Sequence, residues 1–133
     1  MLIYLTRWAI RRNKMSVYEK VFDKIKENNI DVYPPNVHKG KVNSNYIVLL
    51  DGGRTRASTF TSQTVLLDVL VYVPAHRFTD LDLFSSKVKS IVDGLYPLVI
   101  PTGNETAAFY DESIEGWMKS VEYRYTVRNK HVR

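Results

Sequence analysis

The residues with the widest chemical repertoire in this sequence are three histidines, His38, His76 and His131. Imidazoles bind metals and move protons near neutral pH, but both tasks need partners at close spacing. Each histidine stands alone in a polar or loop context without a ligand-spaced neighbour. We therefore expect surface histidines and no metal-binding residues. The chain has no cysteine, which excludes disulfides, thiolate metal sites and cysteine nucleophiles.

Two pairs of carboxylates are spaced closely enough to be considered for acid and base catalysis. Asp80 and Asp82 would lie on different sides of a helix, and the helix dipole explains both. Asp111 and Glu112 are adjacent in a predicted loop, where carboxylates usually face water. The segment Gly52-Gly53-Arg54 lacks the lysine and serine that end a phosphate-binding loop. No nucleophile, base and orienting residue can be combined, so we predict no catalytic residue, no cofactor and no enzyme activity.

The formal charge of the 133-residue chain is +5, but the excess of basic residues lies at its two ends. Residues 1–14 contain four basic residues and no acidic one, and so does the segment after Glu122. Without these eight, 11 of the 19 basic residues remain against 14 acidic residues. The part of the chain between the two basic ends therefore has a formal charge of −3. Nucleic-acid-binding proteins usually collect basic residues on the folded surface that binds. The charge pattern therefore gives nucleic-acid binding little support.

The length of the chain suits one domain, and no apolar run approaches the roughly 20 residues that span a bilayer. We divide the chain into a basic N-terminal extension, residues 1–14, and a single domain, residues 15–133. Met15 is a natural second start. The extension lacks the small-residue cleavage site of a signal peptide. We expect it to be a peripheral tail rather than a functional arm.

Hydrophobic periodicity predicts two helices and three strands. The helices are predicted for residues 17–28 and 79–95, the strands for residues 45–51, 64–73 and 118–127, and a short extended piece for residues 31–33. Two long loops are predicted, residues 52–63 after the strand-ending Gly52-Gly53, and residues 101–116. This order predicts an α+β domain, with a mainly antiparallel sheet and both helices packed on one face.

The predicted strand at residues 64–73 has two contrasting faces. Its odd-numbered residues are all apolar and are expected to face the core. Its other face is formed by Leu66, Asp68, Leu70 and Tyr72, which mix large apolar groups with a carboxylate. This composition fits neither a solvent-facing nor a core-facing surface, and it leaves open what this face touches.

Charged residues of opposite sign are concentrated in two separate segments. Residues 38–56 carry Lys39, Lys41, Arg54 and Arg56, and residues 105–115 carry Glu105, Asp111, Glu112 and Glu115. Complementary patches on one chain suit a head-to-tail contact that closes a ring of subunits. Two solvated loops explain the pattern equally well.

The order and spacing of these elements resemble the tail terminator proteins of bacteriophages with long flexible tails, of the lambda type and its counterparts in phages of Gram-positive hosts. The resemblance covers roughly residues 17–127. It rests on the helix SVYEKVFDKIKE, the DVYPP segment, the strand ending in VYVPA before the DLDLF helix, the pair Tyr110-Asp111 and the final strand EGWMKSVEYRYTV. Residues 1–14 lie outside the pattern.

This resemblance implies a structural virion protein without a cofactor. Such subunits form a ring, typically a hexamer, that caps the tail tube, ends its elongation and joins tail to head. The implied partners are other copies of the chain, the tail tube protein and a head-completion or neck protein, with no membrane. DNA would pass through the ring without specific binding, and the face with Leu66 and Asp68 would meet a neighbouring subunit or line the channel. The protein would be assembled in the bacterial cytoplasm and reside at the head–tail junction.

Two alternative functions stay open on the sequence alone. The first is another head–tail connector, such as a head-completion protein. The second is a nucleic-acid-binding α+β domain, with Lys39, Lys41, Arg54, Arg56 and the basic ends as phosphate contacts. Tyr123 and Tyr125 would then stack on bases. These tyrosines alternate with Val121 and Val127, however, so we expect them in the core.

Overall fold

The structure is a computed structural model that describes residues 16–55 and 62–128. The elements in chain order are α1 (Val17–Glu27), β1 (Val32–Tyr33), β2 (Tyr46–Thr55), β3 (Ser62–Pro74), a 3-10 turn (Ala75–Arg77), α2 (Asp80–Asp93), β4 (Ile100–Glu105), β5 (Phe109–Asp111) and β6 (Gly116–Arg128). The six strands form one sheet in the order β1-β2-β3-β6-β4, with β5 also paired to β6. Only β1 and β2 pair in parallel. The predicted α+β fold class is confirmed.

Both helices pack against one side of the sheet, which we call the inner face. Val21 and Ile25 of α1 join the same apolar core as Leu81, Val88 and Val92 of α2. The sheet contributes the odd-numbered residues of β3, Val65, Leu67, Val69, Val71 and Val73, all of which are fully buried. Burial of each such side chain stabilises the fold by roughly 1.5–3 kcal/mol. The core-facing side predicted for this strand is therefore confirmed.

The helices begin and end close to the predicted positions. Ser16 caps α1, because its Oγ accepts a hydrogen bond from the Glu19 N–H at 3.2 Å. Gly94 follows α2 directly, and its N–H donates to the Ser90 carbonyl. The short extended piece predicted at residues 31–33 is β1, whose partner is β2.

Gly52 and Gly53 do not end β2, so the prediction of a long loop at residues 52–63 is wrong. The strand continues to Thr55, and residues 56–61 lie outside the described chain. Pairing with β3 shifts by one residue between Asp51 and Gly53, which forms a β-bulge. Gly53 has a φ of 97°, and its N–H donates to Asp51 Oδ1 at 3.2 Å. The glycine pair accommodates the extra residue of the bulge because glycine tolerates positive φ.

Residues 101–116 are likewise not one long loop, which corrects the second loop prediction. β4 and β5 are short strands that pair with β6. Pairing of β4 is irregular between Pro101 and Glu105, and Gly103 lies there with a φ of 87°. β4 and β5 are short edge strands, and they lack the hydrophobic alternation that identifies a strand in a sequence.

Candidate protein-interaction surface

The side of the sheet opposite the helices, which we call the outer face, is partly apolar and partly exposed. On the three long strands it includes the half-buried residues Val48, Leu50, Leu66, Asp68, Leu70, Tyr72, Met118, Ser120 and Glu122, and the exposed Arg124, which is paired with Leu66. The pairing of the strands places Leu70 between Val48 and Ser120. Neither helix covers this face, because the buried residues of both helices belong to the core on the inner face. The structure thus brings together the four residues of β3 that, by the resemblance, would meet a neighbouring subunit or line the channel, and that role stays a prediction.

Two carboxylates lie side by side near the middle of the outer face. Asp68 on β3 is directly opposite Glu122 on β6, and Cβ atoms in such pairs are about 4.5–5.5 Å apart. Burial, and then the negative charge of Glu122, raises the pKa of Asp68 above its ordinary value. Glu122 Oε1 accepts hydrogen bonds from Thr102 Oγ1 at 2.9 Å and Asn104 Nδ2 at 3.0 Å. Within residues 16–55 and 62–128, no lysine or arginine forms an ion pair with either carboxylate.

The bulge in β2 makes room for the carboxylate of Asp68. A Cβ added at Gly52 would lie 2.9 Å from Asp68 Oδ2 and 3.4 Å from Leu66 Cβ. Any larger residue at position 52 would therefore move the Asp68 side chain. The sequence reasoning missed the outer-face contributors from β2 and β6, which include Val48, Leu50, Gly52, Ser120 and Glu122, because strand register was needed to find them.

Stacked aromatic rings close one end of the outer face. The rings of Tyr46 and Tyr72 stack with centroids 4.8 Å apart, and His38 stacks on Tyr46 at 4.0 Å. Burial, with the neighbouring Tyr72 and Tyr33, raises the pKa of Tyr46 to about 12. His38 is half-buried in this stack, so the expectation that it lies on the surface is wrong. Its segment lies against the sheet, where the stacking buries apolar ring surface.

Beside this stack lies a groove of about 410 Å³. Its lining includes Val48, Leu50 and Leu70 from the sheet, with Lys39, Asp111 and Ile114 from the flanking segments. His76 is not among the residues that line the groove and is exposed as predicted. His131 lies outside the described residues.

The basic and acidic segments, which suited either a contact between subunits or two solvated loops, contact each other within one chain. Lys41 Nζ lies 3.3 Å from Glu115 Oε2, and the Val42 N–H donates to the Ile114 carbonyl at 2.8 Å. Both charged side chains are more than half exposed, so the ion pair contributes at most about 1 kcal/mol. The charge complementarity is thus used, at least for this pair, to hold two segments of one chain together.

The remaining charged candidates are distributed more widely. Glu105 pairs with Lys89 at 3.0 Å and Lys119 at 3.7 Å, and the hydrogen bond from Lys89 is the main cause of its lowered pKa. Asp111 Oδ1 accepts hydrogen bonds from the backbone and hydroxyl of Ser113, and Glu112 is exposed. The side chain of Arg54 and the whole of Arg56 lie outside the described part, as do residues 1–14.

The two tyrosines considered for base stacking are buried on the inner face. Tyr123 is 1% exposed and Tyr125 is 8% exposed, and both belong to the core. Tyr123 Oη donates to Asp93 Oδ1 of α2 at 2.8 Å, and burial followed by this bond raises its pKa. The expectation that both tyrosines lie in the core is confirmed, so neither offers its ring to a nucleic-acid base.

An exposed aromatic cluster at the end of the sheet was not anticipated. Trp117 contacts Phe78 with ring centroids 4.4 Å apart and Tyr110 with centroids 5.2 Å apart. Phe78 and Tyr110 remain partly exposed, and neighbouring Phe109 is 57% exposed. The sequence signal for this cluster was the presence of aromatic residues in segments that we predicted to be loops. The pairing of β5 with β6, which brings Tyr110 beside Trp117, was needed to find it.

The described residues contain no group of three or more histidines, aspartates and glutamates arranged to hold a metal ion. Neither α1 nor α2, the helices of the described chain, is long and apolar enough to cross a membrane. No protein-family model matches the sequence, and comparison with curated proteins finds no match either.

Proposed function

We propose that this protein is a structural subunit of a bacteriophage tail terminator, which forms a ring on the end of the tail tube. The ring ends tube elongation and provides the surface that joins the tail to the head. The order and spacing of the sequence elements support this proposal through their resemblance to tail terminators of long, flexible-tailed phages. The α+β fold, with one sheet and two helices on one face, is compatible with it.

The observation that carries the proposal is the apolar composition and partial exposure of the outer face. It presents the aliphatic residues Val48, Leu50, Leu66 and Leu70, which are half-buried and opposite the helices. An apolar surface of this kind is typical of a subunit interface. We propose that the outer face meets a neighbouring subunit in the ring.

In the proposed assembly each subunit contacts three kinds of protein. These are the neighbouring copies in a ring of six, the tail tube protein and a head-completion or neck protein. DNA would pass through the ring without specific binding. The excess of acidic over basic residues between the two basic ends supports this, because it limits attraction of the folded body to phosphates. The proposed location is the head–tail junction of the virion, after assembly in the bacterial cytoplasm.

The test is negative-stain electron microscopy of the purified protein, alone and with tubes of the tail-tube protein encoded in the same genome. We expect rings, either in the free protein or on tube ends, and tubes of limited length when the protein is present. Leu70→Glu on the outer face should abolish ring formation because it buries an unpaired charge in the interface. Leu83→Glu is the matched control, since Leu83 is 74% exposed on α2.

Persistent monomers that never cap a tube would overturn the proposal. Capping of head-side connectors without any effect on tube length would instead identify another neck component. Tight, salt-sensitive binding of duplex DNA by a chain that starts at Met15 would favour the nucleic-acid alternative.

A further inference from the structure

The first described residues, at the start of α1, contact the edge of β2. The Ile47 N–H donates to the Asp31 carbonyl, so residues 47 and 49 direct their backbone groups toward the β1 side of the sheet. Tyr18 Oη, in the first turn of α1, donates to the Leu49 carbonyl at 2.6 Å. The first turn of α1 therefore lies within reach of one side chain of the β2 edge, and Ser16 precedes Tyr18 by two residues.

The segment before Ser16 is long enough to cross the outer face. Fifteen extended residues span up to about 50 Å. The distance across β2, β3 and β6 is only about 10 Å, because adjacent strands are about 4.8 Å apart. The same chain can therefore turn at the β2 edge and reach every outer-face residue.

The composition of residues 1–15 complements the outer face in both apolarity and charge. The segment MLIYLTRWAIRRNKM has large apolar side chains, including Trp8 and Ile10, and four basic residues without an acid. The outer face offers half-buried leucines and the carboxylates of Asp68 and Glu122, which have no ion-pair partner in the described ranges. Arginine guanidinium groups form charge-assisted hydrogen bonds with carboxylates of this kind.

We propose that residues 1–15 bind across the outer face of their own chain, with apolar side chains on Leu66 and Leu70 and arginines beside Asp68 and Glu122. This inference revises our expectation of a peripheral tail. The binding itself concerns the free protein and does not depend on the proposed function. If the outer face is also the ring interface, the segment must leave it when a neighbouring subunit docks.

The test uses tryptophan fluorescence of the full chain with Trp117→Phe, so that Trp8 is the single reporter. Trp117 packs against Phe78 at the sheet end, and phenylalanine keeps an aromatic ring there. Relative to a synthetic peptide of residues 1–15, we expect a blue-shifted emission maximum and reduced quenching by acrylamide. The emission maximum and the quenching should not change with protein concentration over the range in which ultracentrifugation shows a monomer.

Variants in the Trp117→Phe background locate the contact. Leu70→Glu should return Trp8 emission to that of the peptide, and the matched change Leu83→Glu on α2 should not. Arg11→Glu with Arg12→Glu should release Trp8 without altering any residue of the described fold, which keeps the test valid if Leu70→Glu fails to fold.

An emission spectrum identical to that of the peptide would overturn the inference. So would a shift that survives both Leu70→Glu and the arginine changes, a shift that Leu83→Glu also removes, or a shift that appears only where the protein is oligomeric. None of these results bears on tube capping, so failure of this inference and failure of the proposed function are distinguishable.

Discussion

Asp68 on β3 and Glu122 on β6 face each other across the middle of the outer face. Thr102 and Asn104 donate hydrogen bonds to Glu122, whereas Asp68 shares its surroundings with the leucines of the face and the negative charge of its neighbour. Like charges directly opposite each other destabilise a sheet. A cation from another segment or another molecule would relieve this repulsion, so the pair marks the place where a basic partner is favoured.

The first prediction concerns the pH dependence of stability. Folding raises the pKa of Asp68, so its protonated form contributes stability that is fully present below the ordinary carboxyl pKa of 3.8 and is lost as pH rises through the higher folded pKa. In a chain starting at Met15, Asp68→Asn should increase the free energy of unfolding at pH 7. Because solvent screens this partly exposed group, we expect less than about 1 kcal/mol.

Urea unfolding at several pH values measures this effect, and the gain should vanish in acid. Asp23→Asn, at an exposed position of α1, is the control and should lack the pH-dependent gain. In the full chain the gain should shrink, because the arginines of residues 1–15 would lie beside Asp68. A loss of stability on Asp68→Asn at pH 7 in the shorter chain would show that its charge is not repelled.

The second prediction concerns the close approach of Gly116 to Val42. A Cβ at position 116 would lie 2.5 Å from Val42 Cγ2 and 2.8 Å from Val42 Cβ. Val42 is 1% exposed and cannot move into solvent without losing its packing. Gly116→Ala should lower the free energy of unfolding by about 1–3 kcal/mol, as overpacking typically does.

A double-mutant cycle with Val42→Ala checks the cause. The second change removes the atom in closest contact but leaves Cβ in place, so it should rescue part of the loss. Fully additive effects of the two substitutions would mean that the steric contact is not responsible.

The third prediction concerns the hydrogen bond between the sheet and α2. Tyr123→Phe removes the buried hydroxyl that donates to Oδ1 of Asp93, which is an exposed residue. We expect a loss of about 0.5–1.5 kcal/mol in chemical denaturation, because the exposed acceptor regains hydrogen bonds to water. Tyr110→Phe, at an exposed ring, should change stability little. Equal effects of the two substitutions would contradict the assignment.

The fourth prediction separates the two leading functions through Arg54→Glu with Arg56→Glu. If the protein is a tail terminator, these arginines contact protein, and the double change should prevent rings or give tails of uncontrolled length that cannot join heads. The loss should reach several kcal/mol if the contacts are desolvated and much less if they are exposed. If the protein binds nucleic acid, affinity should fall instead, with the salt dependence reduced by about two phosphate contacts. An unchanged phenotype in both assays would remove these residues from either mechanism.

The core-facing side of β3 was predictable because burial of alternate valines and leucines leaves a period-two pattern in the sequence. Both helices were predictable because their buried apolar residues recur at helical spacing, with Ser16 and Gly94 marking their limits. The bulge at Gly52-Gly53 was not, since a glycine pair signals a turn and a bulge equally. β4 and β5 were missed because short and largely exposed edge strands carry no such period.

For the candidate surface, the sequence predicted the outer-face residues of β3 but not those of the neighbouring strands. The mixed composition of the face with Leu66 and Asp68 showed that it was unusual, but not which strands flank it. Glu122 became its neighbour only through the register of β3 with β6. The ion pair of Lys41 with Glu115 was inaccessible for a related reason, because charge signs in a sequence do not show whether opposite patches meet within a chain or between chains.

The bond from Tyr18 to the Leu49 carbonyl has a consequence for aggregation. Among the described strands, β1 covers only Ile47 and Val48 of the β2 edge. A long bare edge is a template on which identical chains add strands to one another. Here a side chain occupies one carbonyl of that edge, and the bulge that follows increases its twist. Both features disfavour the addition of a strand from another chain at this edge of the sheet.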